Sequence, residues 1–562
     1  MTDAAPVTEI TIELDVPVPM RDGTVLRADI YRPAAPGSYP VLLGRTPYDK
    51  CMVFEGTAFV RTMARAGYVV IMQDTRGRIA SDGEWLPWKY EREDGYDTVE
   101  WAAALPYANG RVGMFSASYM GSTQWSAAIA GAPHLAAIAP VTTWSDPTDG
   151  LMFRGGAIEL GLNLQWGLMQ ALGQYPKAGL APQEMFGKLM ATMADMDAMP
   201  GKTYWQLPSG APAALVSSGQ PDIGVARALA DPSTLDECRV STRYDEVTIP
   251  SLNYAGWFDI FLQGALDNYV GMRSRGRTAR LVVGPWHHLN LASAMSAGQV
   301  GDVNFGLAAI LPGGRTVTDT TRAWYDHWLK GEPATADHES GVLLFVMGAN
   351  TWRAEADWPL ARAVDTPLYL GADSTLTWDT PTVEAADSDY TYDPANPVQT
   401  RGGHLVMSSE YPAGPFNQRD TEARDEVLVF TTPPLEHDTE ITGRIRATIF
   451  ASTDGPSTDW VVRLCEVDAQ GVSRNIADGI ARVSTEPGRV DEVDIDLWST
   501  AILIRAGHRL RVHVTSSNFP RWDRNLNTGE PVTAGTAMRV AHQRILHDRN
   551  HPSRIVLPIV ND

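Results

Sequence analysis

Cysteine is almost missing from this chain of 562 residues: Cys51, Cys238 and Cys465 are the full set. Three thiols far apart in sequence make a poor disulfide framework, and none falls in a C-x-x-C metal spacing. Buried free thiols in a reducing compartment are therefore expected. Positive charge is short too. Lys and Arg number 46 against 67 Asp and Glu, a formal net charge of -21, with no basic run anywhere. A nucleic-acid surface needs clustered basic side chains, so nucleic acid is excluded as a partner and the acidity reads as a solubilising surface. No stretch approaches the ~20 apolar residues of a membrane helix. Met1 to Glu9 also lacks the basic region and apolar core of a signal peptide. The expectation is a cytoplasmic protein with no membrane partner; the sequence is compatible with a homodimer.

What is present is ordinary globular material, 44% hydrophobic and 20% charged. The length exceeds what one core usually serves, so two or three domains are expected. Thr11 to Val18 and Val25 to Tyr31 alternate around the turn Arg21-Asp22-Gly23-Thr24 and predict a hairpin. Tyr39 to Gly44, Tyr68 to Met72 and Val112 to Phe115 read as buried strands, with helical patterns at Gly56–Ala66, Tyr96–Ala104 and Tyr119–Ala130. That succession predicts a parallel sheet covered on both faces. The rhythm breaks from about Ser145 to Arg243, where helical periods carry methionines at 152, 169, 185, 190, 193, 196 and 199, most of them expected to pack in the core. Strands return at Ser251–Ala255 and Ala279–Val283. Past Trp352 the alternations Ile445-x-Ala447-x-Ile449 and Leu510-x-Val512-x-Val514 fit a β-sandwich. The reading divides the chain into a sheet domain at 1–144 and 244–353, an inserted cap at 145–243, and a C-terminal domain at 354–562.

The segment Val112-Gly113-Met114-Phe115-Ser116-Ala117-Ser118-Tyr119-Met120-Gly121 carries the chemistry. An apolar strand runs through a tight small-residue turn into a helix, so Ser118 sits on a strained elbow whose following N–H groups face any developing oxyanion. The usual pattern is G-x-S-x-G; here Ser116 replaces the first glycine and the second comes one residue late. A serine hydroxyl needs a base, and the base an orienting carboxylate, in this fold in the order Ser, acid, His after successive strands. The strand Ser251–Ala255 leads to Gly256-Trp257-Phe258-Asp259, and Leu281-Val282-Val283 leads to Gly284-Pro285-Trp286-His287-His288. Asp74 and Arg76 read as a structural ion pair bracing loops. The adjacent histidines lack the helix spacing of a metal site, so neither metal nor cofactor is expected.

These motifs, with Thr46-Pro47-Tyr48-Asp49-Lys50, Gln73-Asp74-Thr75-Arg76-Gly77, Ser516-Ser517-Asn518-Phe519-Pro520 and Asp523-Arg524-Asn525, resemble the bacterial cocaine esterase family. That family is related to X-Pro dipeptidyl peptidases and α-amino acid ester hydrolases. The resemblance implies an α/β-hydrolase domain with an inserted helical cap and a C-terminal jelly-roll β-sandwich. It implies Ser118 as nucleophile, Asp259 as acid and, through the pattern G-P-W-x-H, His288 as base. It further implies the Tyr48 hydroxyl and the Tyr119 backbone N–H as oxyanion hole, and Trp166, Phe261, Phe153 and Met407 around the substrate. The implied activity is hydrolysis of small-molecule carboxylic esters with aryl or bulky acyl groups through an acyl-enzyme. Amide, carbamate or dipeptidyl-peptide cleavage on the same triad is the alternative. A non-catalytic carbohydrate-binding protein is the rival from another class.

Overall fold

Residues Val41 to Leu43 and Val69 to Met72 are completely buried, yet their side chains divide strictly by parity. Val41, Leu43, Val69 and Ile71 pack on one side of a sheet, and Leu42, Val70 and Met72 on the other. Such period-two division with both sides apolar requires helices on both faces. The computed structural model describes residues 9–52, 57–219, 224–290, 298–334 and 341–560.

The sheet begins with β1 (Ile10–Pro19), β2 (Val25–Pro33), β3 (Tyr39–Thr46), β4 (Val69–Asp74), β5 (Ala108–Ala117) and β6 (Leu135–Val141). The chain then leaves it through a short ladder, β7 (Phe153–Arg154) with β8 (Ala157–Ile158), and returns as β9 (Ser251–Gly256) and β10 (Ala279–Gly284). A small hairpin of β11 (Gln299–Val300) and β12 (Val303–Asn304) precedes the last two strands, β13 (Val342–Val346) and β14 (Thr351–Glu355). The ten strands lie in the order β1-β2-β4-β3-β5-β6-β9-β10-β13-β14. Pairing is parallel from β4 through β13 and antiparallel at both edges.

Helices α1 (Thr57–Arg65) and α9 (Val317–Lys330) cover one face, contributing Phe59, Met63, Trp324 and Leu329. Helices α2 (Glu91–Ala103), α3 (Tyr119–Ile129) and α8 (Leu262–Arg273) cover the other with Val99, Trp125 and Leu266. Gly56, where the helical pattern starts in sequence, lies outside the described residues, as do positions 1–8. Helix α2 starts at Glu91, five residues ahead of the expected Tyr96. Its first turn looks polar in sequence but is buried: Glu91 is ion-paired with Arg45 at 2.6 Å, and Asp94 with Arg76 at 2.6 Å.

That pairing also corrects the reading of Asp74 and Arg76. Arg76 bonds Asp94 and Asp22, while Asp74 accepts from the Lys50 and Ala80 backbone N–H groups. The two leave the end of β4 in different directions and brace different loops. Cys51 is another correction: it is exposed, and only Cys238 and Cys465 are buried.

Between β6 and β9 the chain forms the helices α4 (Leu160–Gln174), α5 (Pro182–Asp197), α6 (Ala213–Ser218) and α7 (Val225–Ala230). Of its methionines only Met152 and Met199 are buried. Phe186, Met190 and Met193 recur at helical spacing along the solvent side of α5, so periodicity there marks an exposed stripe and not a core face.

The C-terminal domain is built of β15 (Ala363–Leu370), β16 (Leu376–Thr377), β17 (Asp387–Tyr392), β18 (Leu428–Thr431), β19 (Thr439–Thr453) and β20 (Ser457–Val467). It continues through β21 (Ser473–Ser484), β22 (Asp491–Ile504), β23 (Arg509–Thr515), β24 (Ala541–Leu546) and β25 (Arg554–Val560). One sheet of seven strands centres on β19, and the other runs β18-β23-β20-β21. Ile445, Ala447 and Ile449 from the first and Val512 and Val514 from the second join one apolar core, as a sandwich requires.

This domain grips the chain just ahead of α4. The Arg154 guanidinium lies 3.6 Å from the Trp498 ring centroid and donates to the Asp478 carbonyl at 2.6 Å. The Trp522 indole donates to Glu159 at 2.8 Å, and the Ile158 N–H to Asp523 at 2.7 Å. Burial alone would raise the Asp478 carboxyl, but Arg521, His404, Arg463 and Arg154 hold it well below the carboxylate range. The sandwich thereby sets where α4 begins.

Candidate active site

Strand β5 delivers Ser118 to the mouth of the sheet through two residues of positive φ, Ser116 at 99° and Ser118 itself at 61°. Glycine is usual at the first of these positions because a Cβ is strained there. Here the strained turn is held from outside: Gln124 donates to the Ser116 carbonyl at 2.9 Å and accepts from the Ala139 N–H at 3.0 Å. The late second glycine has a reason as well. A Cβ on Gly121 would come within 2.8 Å of the Thr143 side chain, so α3 crosses closest to the end of β6 one residue further along. Ser116→Gly is expected to leave turnover intact and add about 1 kcal/mol of stability, the relieved strain less the entropy cost of glycine. A raised melting temperature at unchanged activity is the readout. A lowered one would mean the Ser116 contact with Met120, at 3.5 Å, outweighs the strain.

Asp259 follows β9 and His288 follows β10, two parallel neighbours, so their loops meet above the sheet. The His288 Nδ1 lies 2.8 Å from one Asp259 oxygen, and the other accepts the Phe261 N–H at 2.6 Å. Asp259 is inaccessible and His288 is 5% exposed. His287 turns elsewhere. Its Nδ1 accepts from the Leu289 N–H at 3.3 Å within its own loop, and its N–H donates to Asn290 at 2.8 Å. Burial lowers the His287 imidazole below its ordinary value.

Tyr48 arrives from the loop after β3, its backbone fixed by the Thr46 hydroxyl at 3.0 Å. Its phenol oxygen accepts from the Trp166 indole at 3.2 Å. Burial raises the Tyr48 phenol above its ordinary range, offset in part by hydrogen bonds with Trp166 and Ser118, so the group keeps its proton. Tyr119 is the first residue of α3, and the first N–H groups of a helix have no acceptor within it. Its ring is locked separately: the hydroxyl donates to Glu91 at 2.9 Å and accepts from the Trp88 N–H at 3.0 Å.

Ser118, Tyr48 and Tyr119 share a cavity of about 30 Å³ with Trp166 and Phe261. Phe261 stands edge-on to His288 with centroids 5.3 Å apart, and Trp88, Tyr119 and Trp166 form one aromatic cluster in which the Trp88 centroid is 5.7 Å from each of the other two. Phe153 and Met407, expected beside the substrate, do not line this cavity. Phe153 pairs with Ile158 in the β7–β8 ladder, and Met407 is spent filling the space over Gly161, where a Cβ would meet its Cε at 2.3 Å. Trp88, Trp144, Leu151, Leu162 and Asn163 line the cavity and were not singled out in the sequence. Trp144 had a signal, its place just past the C-terminal end of β6. The others come from loops and a helix face whose direction local pattern does not encode.

Comparison with known proteins agrees with this architecture. The profile of the X-Pro dipeptidyl-peptidase (S15 family) matches residues 22–290, and that of the X-Pro dipeptidyl-peptidase C-terminal non-catalytic domain matches residues 334–556. The cocaine esterase of Rhodococcus sp. (strain MB1 Bresler) is 36% identical over 98% of this chain and 99% of its own. The crystal structure of an aminopeptidase from a marine sediment Thaumarchaeota archaeon is 26% identical, with a TM-score of 0.83 over 100% of this chain and 98% of that one. A solved α-amino acid ester hydrolase superposes with a TM-score of 0.77 over the same shares at 23% identity. An α/β-hydrolase sheet ending in this elbow, a sandwich behind the cap, and a similarity running the length of the chain lead to one assignment: the chain belongs to the cocaine esterase and X-Pro dipeptidyl-peptidase (S15) family of serine hydrolases.

Proposed function

We propose that the protein hydrolyses carboxylic esters of small molecules through an acyl-enzyme on Ser118, with His288 as base and Asp259 as orienting acid. The observation that carries this reading is the His288–Asp259 contact of 2.8 Å beside a serine on a strained strand-to-helix turn. With Nδ1 directed at Asp259, Nε2 is the nitrogen that takes the Ser118 proton as the hydroxyl attacks the ester carbonyl. Tyr48, kept protonated, and the Tyr119 N–H at the positive end of α3 receive the oxyanion. The imidazolium then protonates the departing alcohol, and water, activated by the same base, releases the acid.

The choice of ester over peptide follows from the cavity walls. A peptidase acting from a free amino end needs a carboxylate facing the substrate amine. Among the described residues the lining beside Ser118 is aromatic, aliphatic, hydroxyl and one amide, with no carboxylate. An uncharged, apolar acyl group suits such walls. Matched ester and amide substrates, assayed beside fluorophosphonate labelling of Ser118, test the reading. Faster amide than ester turnover, or no labelling of the folded protein, would sink it.

Tyr48 supplies a further measurement. Tyr48→Phe keeps the ring and removes only the donor, so turnover is expected to fall roughly a hundred- to thousandfold with little change in KM. Unchanged turnover with weakened binding would make Tyr48 a substrate contact instead.

A further inference from the structure

Two cavities lie against one helix. The one above Ser118 measures about 30 Å³, and a second, of about 190 Å³, opens in the cap between α4, α6 and α7. At about 100° per residue, α4 turns Leu162 and Trp166 toward the first cavity and Leu160 and Leu164 toward the second. Asn163 lies on the boundary between those two stripes and lines both cavities. It is 5% exposed, and its Nδ2 donates to the Leu151 carbonyl at 2.9 Å and the Glu159 carbonyl at 2.8 Å. Both amide hydrogens are thus committed to backbone, so Asn163 is held in place as the lining residue that the two cavities share.

The volumes decide what fits. An apolar cavity of about 150 Å³ is what a benzene ring occupies. The space above Ser118 is a fraction of that, whereas the cap cavity exceeds it and has aliphatic walls including Ile158, Leu164, Leu215 and Val225. We propose that the acyl group of the ester extends from Ser118 past Asn163 into the cap cavity, which makes that cavity the binding site for an extended aliphatic acyl chain. This rests on the ester-hydrolase reading and names the substrate class of that site.

Burying each added methylene raises kcat/KM by about fourfold while the cavity has room. A series of 4-nitrophenyl esters from acetate to decanoate is compared in wild type, Ala211→Phe and Val216→Trp. Ala211 and Val216 line the cap cavity but not the space above Ser118, and Val216 is 66% exposed, so tryptophan there leaves the core undisturbed. Wild type is expected to climb with chain length and then level off. Both variants are expected to hydrolyse acetate as wild type does and to lose the climb by roughly ten- to a hundredfold at the longer chains. A wild-type profile that is flat or falls from acetate overturns the proposal, as does a wild-type climb kept in both variants. If Ala211→Phe loses acetate turnover as well, the profile of Val216→Trp decides. Acetate turnover in wild type shows that the Ser118 chemistry stands whichever way the chain-length profile falls, and its absence sinks both readings.

Discussion

Ser118→Ala is expected to lower turnover of an activated aryl ester by about a millionfold while leaving the protein folded. Alanine fits because the site asks little more of the side chain than a Cβ at φ 61°. The backbone groups that shape the elbow stay paired: the Ser118 N–H donates to the Val141 carbonyl at 2.9 Å, and its carbonyl accepts from the Thr143 hydroxyl at 2.9 Å. What is lost is the attacking oxygen, and the oxyanion donors alone retain only a small part of the acceleration. Ester hydrolysis measured beside circular dichroism is the check. A folded variant with near-native activity would move the nucleophile to another residue.

The two histidines form the second large effect. His288→Ala is expected to remove nearly all activity, because the imidazole that Asp259 holds is lost. His287→Ala is expected to keep most of it, since that ring is engaged with its own loop at Leu289. The acidic limb of the pH–rate profile reports protonation of the base. It should therefore stay where wild type has it in His287→Ala, all the more because burial holds the His287 imidazole below its ordinary value. A limb displaced in that variant, or full activity in His288→Ala, would show the assignment reversed.

The part of the fold that was legible is the part whose burial is complete. The strand Val69–Asp74 is buried at every position, and its first four residues, Val69 to Met72, form a continuous apolar run of the kind a doubly covered sheet requires. Helix α2 was only half legible, because Glu91 and Asp94 pair with Arg45 and Arg76 from other strands and loops, and a buried ion pair looks like a polar loop in sequence. The methionines of α5 misled in the opposite sense. Helical spacing of apolar residues states that they share a face but not whether anything covers it.

The same division runs through the site. The turn that exposes Ser118, the order of serine, acid and histidine, and their places at the ends of β5, β9 and β10 follow from local pattern, because a parallel sheet puts all those ends on one edge. Which nitrogen meets Asp259, how little room remains above Ser118, and why Phe153 and Met407 stand away from it were decided by tertiary structure. The room above Ser118 depends on α4, which lines it with Leu162, Asn163 and Trp166, and the chain leading into α4 is held by Asp478, Asp523, Trp498 and Trp522 of the sandwich, more than 300 residues away. A contact between segments so distant leaves no periodic trace in either one, since each is shaped by a neighbour that its own sequence does not contain.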